Sequence, residues 1–275
     1  MKILNLLLGI IIVFAIISCS SDGIIPNENP ERSLKLIKKM TGFKNDEPWF
    51  TRTFEYDDNR LVTIQTENTI TKYSYNEDNL THIRTYTYNA STNAFDIEVS
   101  RYEFEYENNI IKSRFYYSNG VLIRRLDYSF NNDGKPDRIV SYRLENDQLN
   151  LESNTIYEYS TGNLVYRKET FEPLTLDDEK QTQEDNATFD DKNSPFINLE
   201  INARREIGQS LWYDALSDNN RLKYSRVGSF FGTTNNPLFG PYSYDYQYDS
   251  DNFPLKVTIT ELDFDNIFTI FFEYE

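Results

Sequence analysis

Few residues in this chain have the type and spacing for covalent chemistry. A nucleophilic triad needs a general base, and the single histidine, His82, sits between Thr81 and Ile83 in an alternating stretch. A histidine placed there reads as a strand surface residue rather than a base. The ten glycines are scattered, and none builds a loop that cradles phosphate. One cysteine, Cys19, excludes internal disulfides and thiolate zinc sites, and one histidine excludes multi-histidine metal centres. Carboxylates are abundant, 44 in all, so a paired acid and base of the glycosidase kind stays open, with no motif to choose two of them. The run Asn131-Asn-Asp133-Gly134-Lys-Pro-Asp137 has the beginning of a calcium loop but lacks the bidentate acid that ends one, and reads as a type I′-like hairpin turn. Asp245, Asp249 and Asp251 form a second acidic cluster, to which only adventitious calcium is assigned. Neither a metal nor a cofactor is expected.

Aromatic side chains are the remaining candidates. Trp49, Trp212 and the 21 tyrosines would stack on sugar rings wherever they face outward, although alternation assigns most of them to a core. Trp212 and Tyr213 stand in an atypical segment beside an acidic loop and are the candidate ligand contacts. Charge narrows the partners: 28 Lys and Arg against 44 Asp and Glu give −16, which excludes nucleic acid as a partner. At 15% aromatic content the chain can bury a core and is no disordered acidic tract.

What must position these residues is a sheet. From Thr51 onward one unit recurs: aromatic-x-aromatic, a few turn residues rich in Asn, Asp and Gly, then an aliphatic residue. Phe54-Glu-Tyr56 precedes Leu61, Tyr73-Ser-Tyr75 precedes Leu80, Phe104-Glu-Tyr106 precedes Ile110, and Tyr157-Glu-Tyr159 precedes Leu164. Tyr116-Tyr117, Tyr128-Ser-Phe130 and Tyr246-Gln-Tyr248 are further copies. Aromatics two apart share one face of a strand, and the Asn, Asp and Gly residues reverse it. The reading is an all-β fold: an antiparallel β-meander of about a dozen strands, curved or closed into a barrel-like sheet so that no long edge is exposed. A membrane-spanning barrel would also alternate, but the aromatics run throughout the strands instead of forming two girdles. Residues 173–199 lose the alternation and read as an acidic insert. Residues 203–216, with Ile207, Leu211 and Ala215 four apart, read as a short helix that would plug or cap one end.

The N-terminus reads as an address. Lys2 precedes an apolar run from Ile3 to Ile17, too short to span a bilayer and fitting a secretory signal. Ile16-Ile17-Ser18-Cys19 resembles a bacterial lipobox, which implies that Cys19 is lipidated and becomes the mature N-terminus; an ordinary signal with an incidental cysteine is the alternative. The organisation expected is a signal peptide over 1–18, a lipidated cysteine and tether over 19–33, and one domain over 34–275. Ser20 stands where inner-membrane retention would call for Asp, so the outer membrane is expected, with its periplasmic or outer face left open.

The aromatic units resemble YD-type repeats of bacterial cell-surface proteins. Three pieces are similar to an uncharacterised bacterial lipoprotein family with a porin-like fold: Phe189-Asp-Asp-Lys192-Asn-Ser-Pro195-Phe196, Leu216-Ser-Asp-Asn219-Asn220, and Tyr244 through Val257. This chain has Phe189 where the family begins with Tyr, Ser194-Pro195 where it has Asn-Pro, and Asn252 where it has Gly. The resemblance implies a barrel-like architecture and brings no catalytic residues. The function expected is that of a non-enzymatic, lipid-anchored envelope protein, attached to the membrane by its N-terminal lipid, that binds or scaffolds a glycan or an envelope protein. A carrier of a lipid or other hydrophobic ligand is the second reading, and a carboxylate-dependent glycosidase the third.

Overall fold

The computed structural model describes residues 34–173, 180–199, 203–204, 215–230 and 233–275. Sixteen strands follow in order. They are β1 Ile37–Lys44, β2 Glu47–Asp57, β3 Arg60–Gln65, β4 Thr69–Asn76, β5 Asn79–Asn89, β6 Ala94–Glu107, β7 Ile110–Ser118 and β8 Val121–Phe130, then β9 Pro136–Glu145, β10 Gln148–Ser160, β11 Asn163–Phe171, β12 Gln181–Asn193, β13 Asn219–Phe230, β14 Thr233–Tyr248, β15 Pro254–Glu261 and β16 Asn266–Tyr274. Each pairs antiparallel with its sequence neighbours, and β1 pairs with β16, from Ile37 opposite Tyr274 to Lys44 opposite Phe268, closing the barrel.

The turns explain why so many Asn, Asp and Gly residues punctuate the sequence. Consecutive left-handed residues occur at Asn45-Asp46, Asp58-Asn59, Asn108-Asn109, Asn119-Gly120, Asn146-Asp147 and Thr161-Gly162. Two positive φ angles in succession define the tight turn whose twist suits a hairpin, and these residue types tolerate them best. The Asn131 to Gly134 loop is also a hairpin connection, though longer. The Asn131 side-chain oxygen accepts the backbone N–H groups of Asp133 and Lys135, both at 3.0 Å, so it closes the turn on itself.

The aromatic unit turns out to do a particular job. In all seven copies the register slips by one residue just before or at its second aromatic, at Tyr56, Tyr75, Tyr106, Tyr117, Phe130, Tyr159 and Tyr248. A bulge of this kind leaves ladder groups unpaired. The tyrosine hydroxyl of one copy reaches a backbone carbonyl at the start of a strand in the preceding copy. Tyr75 donates to Leu61 at 2.9 Å and Tyr106 to Leu80 at 2.8 Å. Tyr56 donates to Ile37 and Tyr274 to Pro254, both at 2.8 Å. At these four places the tyrosine latches one hairpin to its neighbour.

Inward positions near these latches form one core, including Met40, Phe54, Tyr73, Leu80, Ile83, Phe104, Tyr244, Val257, Phe268 and Ile270. Outward positions mix charged and polar residues with exposed apolar ones such as Leu151, Ile156, Ile267 and Phe271. Ion pairs lie on the outer wall between Lys39 and Glu273 (3.1 Å), Arg101 and Glu103 (2.8 Å), Arg125 and Asp127 (2.8 Å), and Lys168 and Glu184 (2.7 Å). Sixteen tilted strands about 4.8 Å apart give a circumference of about 100 Å, twice that of the eight-stranded barrel that wall side chains can just fill.

The extra space at one end is filled by the chain itself. The connection between β12 and β13 puts Phe196, Leu199, Ala203 and Ala215 into the core, with Phe196 and Ala215 completely buried. These residues plug that end; the helix expected over 203–216 lies mostly, at 205–214, outside the described residues.

Two expectations change. The strands number sixteen rather than about a dozen, and the acidic insert of 173–199 contains strand β12. The insert does not read as a strand because β12 alternates by charge, not by hydropathy. Asp185 points into the barrel against arginines while Glu184 pairs outside with Lys168, so a search for apolar alternation passes over it.

Candidate functional site: the mouth of the barrel

The barrel has two unlike ends. The even-to-odd connections, together with the plug, close one. Asn163 and Asn219 bond reciprocally there, Asn163 Nδ2 to Asn219 Oδ1 and Asn219 N to Asn163 Oδ1, each at 2.9 Å. Ser217 Oγ accepts from Leu164 N at 3.0 Å, and the buried Arg204 donates to the carbonyls of Ala215 (2.6 Å) and Ser217 (2.7 Å). Asn193 N donates to the Asn252 carbonyl at 3.1 Å, and Asn220 Nδ2 to that of Asn193 at 2.9 Å.

Toward the other end, the mouth, the inward wall of β8–β13 turns polar. Register places Arg114 opposite the core residue Phe104, Leu126 opposite Arg114, and Arg143 opposite Arg124, so all of these face inward. Like charges directly opposite one another repel unless something bridges them. Glu152, pushed inward at a bulge in β10, supplies the bridge. Its Oε1 accepts from Arg124 Nη2 at 2.7 Å and from Arg143 Nε at 2.9 Å, and its Oε2 from Ser141 Oγ at 2.9 Å. Burial alone would raise this carboxyl, but the hydrogen bonds from Arg143, Arg124 and Ser141 outweigh it and hold Glu152 below the ordinary carboxylate range.

A second cluster continues the wall. Asp185 receives Arg226 Nε at 2.7 Å and Arg167 Nη1 at 2.9 Å, and Glu169 receives Arg167 and, at 2.9 Å, Ser153 Oγ. Burial would raise Asp185 too, yet Arg226 and then Arg167 hold it below its usual value. Burial opposes the charge on Arg167, and Glu169, Tyr157 and Asp185 more than restore it.

Although Arg124 and Arg143 face into a closed wall, their side chains are 41% and 43% exposed. Both stand near the mouth ends of β8 and β9, so the wall here presents charged side chains to solvent. Across the lumen, where β1 turns into β2, a bulge at Phe43 makes Trp49 the extra residue. Its ring packs on Phe268, centroids 5.3 Å apart, and on Phe50 at 5.0 Å, and it remains 44% exposed at the rim. Lys44 Nζ lies 5.5 Å above the Phe268 ring.

The chemistry this site can do is recognition. A positive wall with exposed N–H donors faces an aromatic platform, and each carboxylate of the two clusters is engaged by arginine. His82 lies on the outer wall opposite Ser74 and Glu103. Asp249 and Asp251 hold Lys35, at 2.7 and 2.6 Å. Among the described residues no three His, Cys, Asp or Glu side chains are grouped to hold a metal. Trp212, Tyr213 and Cys19 lie outside the described residues. Sequence reasoning missed Arg124, Arg143 and Glu152; no spacing rule points to three residues on successive strands.

No protein-family model matches the chain, and no curated protein sequence matches it. Solved structures do. A porin-like protein from Bacteroides vulgatus superposes with a TM-score of 0.56 at 12% identity, over 88% of this chain and 99% of that one. A porin-like protein from Bacteroides uniformis gives 0.49 at 11% identity, over 87% and 96%. The fold is porin-like. The three sequence pieces that resemble the lipoprotein family meet at the plugged end: Asn193, Ser194 and Phe196 from the first, Ser217, Asn219 and Asn220 from the second, and Asn252 from the third. In this barrel they seal one end.

Proposed function

We propose that this chain is a non-enzymatic binding protein of the outer membrane, anchored by lipid on Cys19 and taking its ligand at the barrel mouth. The observation that carries the reading is the asymmetry of the lumen, plugged by Phe196 and Ala215 at one end and arginine-lined and exposed at the other. The ion pairs carried by the outer wall support attachment through an anchor rather than through the strands, since a charge facing lipid at the bilayer midplane costs about 2–4 kcal/mol. Lipobox and tether supply that anchor, and the YD-like aromatic unit serves as the latch that builds the wall.

Glycosidase chemistry is disfavoured because a general acid needs a raised pKa, whereas Glu152 and Asp185 are lowered by their arginines. A carrier of apolar ligands fits less well, because the apolar end of the lumen is occupied by the chain's own side chains. The test is metabolic labelling with an alkyne fatty acid, followed by protease shaving of intact cells. The wild type should take up label and fractionate with the outer membrane, and Cys19→Ser should do neither. An unlabelled wild type released as a soluble protein would overturn the anchor, and turnover on a broad glycan and ester panel would overturn the non-enzymatic reading.

A further inference from the structure

We propose that the barrel mouth binds an acidic oligosaccharide: the Arg124–Arg143 pair takes a carboxylate or sulfate, and Trp49 stacks on a sugar face. This rests on the binding reading above and names its ligand class. Two guanidiniums share one carboxylate, so the pair keeps a net positive charge inside a chain whose formal charge is −16. Glu152 fixes both forks in place, a preorganised arrangement whose exposed N–H groups suit a second oxyanion. Arg124 Nε, itself buried, makes no hydrogen bond among the described residues.

Charge alone would admit any anion. The aromatic platform narrows the choice, because a half-exposed indole braced edge-on by Phe50 and packed on Phe268 presents a flat face at the rim. Such a face suits the C–H surface of a sugar ring. β2 and β9 stand seven strands apart in a ring of sixteen, nearly half the circumference. A single sugar cannot touch both walls, so the ligand is an oligosaccharide with its acidic group removed from the stacked ring. An acyl chain would need an apolar lumen between the two features, and the wall beside the arginines, Leu126 apart, carries Ser141, Glu152, Ser153 and Asp185.

The experiment is calorimetric titration of the detergent-purified full-length protein with four probes. These are a galacturonate hexasaccharide, its methyl-esterified neutral form, a chondroitin sulfate hexasaccharide, and dodecanoate. At least one acidic hexasaccharide should bind, more weakly as salt is raised, and the neutral form should not. Arg143→Gln should weaken binding roughly 10- to 100-fold, the range of a charge-assisted hydrogen bond. Trp49→Ala, at an exposed position that tolerates truncation, should weaken it by a similar order and covers the case in which Arg143→Gln misfolds. Equal binding of the neutral ester, unchanged affinity in both variants, or no binding of either acidic hexasaccharide would overturn the proposal. Binding of dodecanoate alone would overturn the saccharide while leaving a ligand-binding mouth. Failure of every probe beside successful acyl labelling of Cys19 would remove the ligand and leave the envelope anchor standing.

Discussion

If the recurring tyrosine is a latch between hairpins, removing one hydroxyl should cost a definite amount. Tyr106→Phe is the cleanest case: the ring stays in the core and only the 2.8 Å bond to the Leu80 carbonyl is lost. Leu80 is fully buried and adjoins a bulge, so its carbonyl finds no ready substitute in the ladder. Leaving a buried acceptor unsatisfied costs about 1–3 kcal/mol. A domain of this size loses roughly 2–4 °C in Tm per kcal/mol, so a fall of about 2–12 °C is expected. Burial, and after it the nearby Glu275 carboxylate, raises the sister residue Tyr56 above the ordinary phenol range, which keeps such a latch a donor at any physiological pH. The assay is a thermal melt followed by near-ultraviolet circular dichroism. Tyr88→Phe is the control, since Tyr88 is exposed and its hydroxyl bonds Asn93 within its own loop. Tyr106→Phe melting with the wild type, or no lower than Tyr88→Phe, would refute the latch and leave the aromatic unit as core filling alone.

Two further perturbations test other parts of the wall. Gly42 lies directly opposite Phe50, and a methyl group there would run into the Phe50 ring; Gly42→Ala should destabilise by about 1–3 kcal/mol, and Phe50→Leu should recover part of that loss in a double-mutant cycle, whereas strict additivity would count against the contact. Asp185 is depressed below its unfolded value of about 3.9, so its contribution is complete above that value and is lost as pH falls through the folded one. The wild-type Tm should therefore drop steeply below about pH 4, and Asp185→Asn should lie about 3 kcal/mol lower near neutrality with a flatter acid limb; parallel acid limbs would show that the Arg167–Asp185–Arg226 cluster does not carry this dependence.

What the sequence displayed and what it concealed divide along the barrel axis. Near the plugged end, apolar side chains fill the inward positions, so period-two alternation announced β4, β6 and β16 and the closed architecture followed from avoiding edges. Turn residues with positive φ were equally plain, because only a few types accept that backbone conformation. Near the mouth, along β8–β13, the inward positions are mostly Arg, Glu, Asp, Ser and Thr, which in a strand look the same as outward ones. Hydropathy then carries no phase, and β12 reads as an insert although its register with β11 and β13 places Asp185 between two arginines. The site is illegible for a related reason. Arg124, Arg143 and Glu152 are 19 and 9 residues apart, and what joins them is a bulge in β10 that turns Glu152 toward its neighbours. A bulge adds one residue and leaves no compositional trace, so a sequence can state that a wall exists without stating which side chains it turns inward. The tyrosine latches show the converse. There the bulge recurs at a fixed place in a repeated unit, and a hydrogen bond invisible in any one copy becomes, once the register is known, the reason the unit repeats.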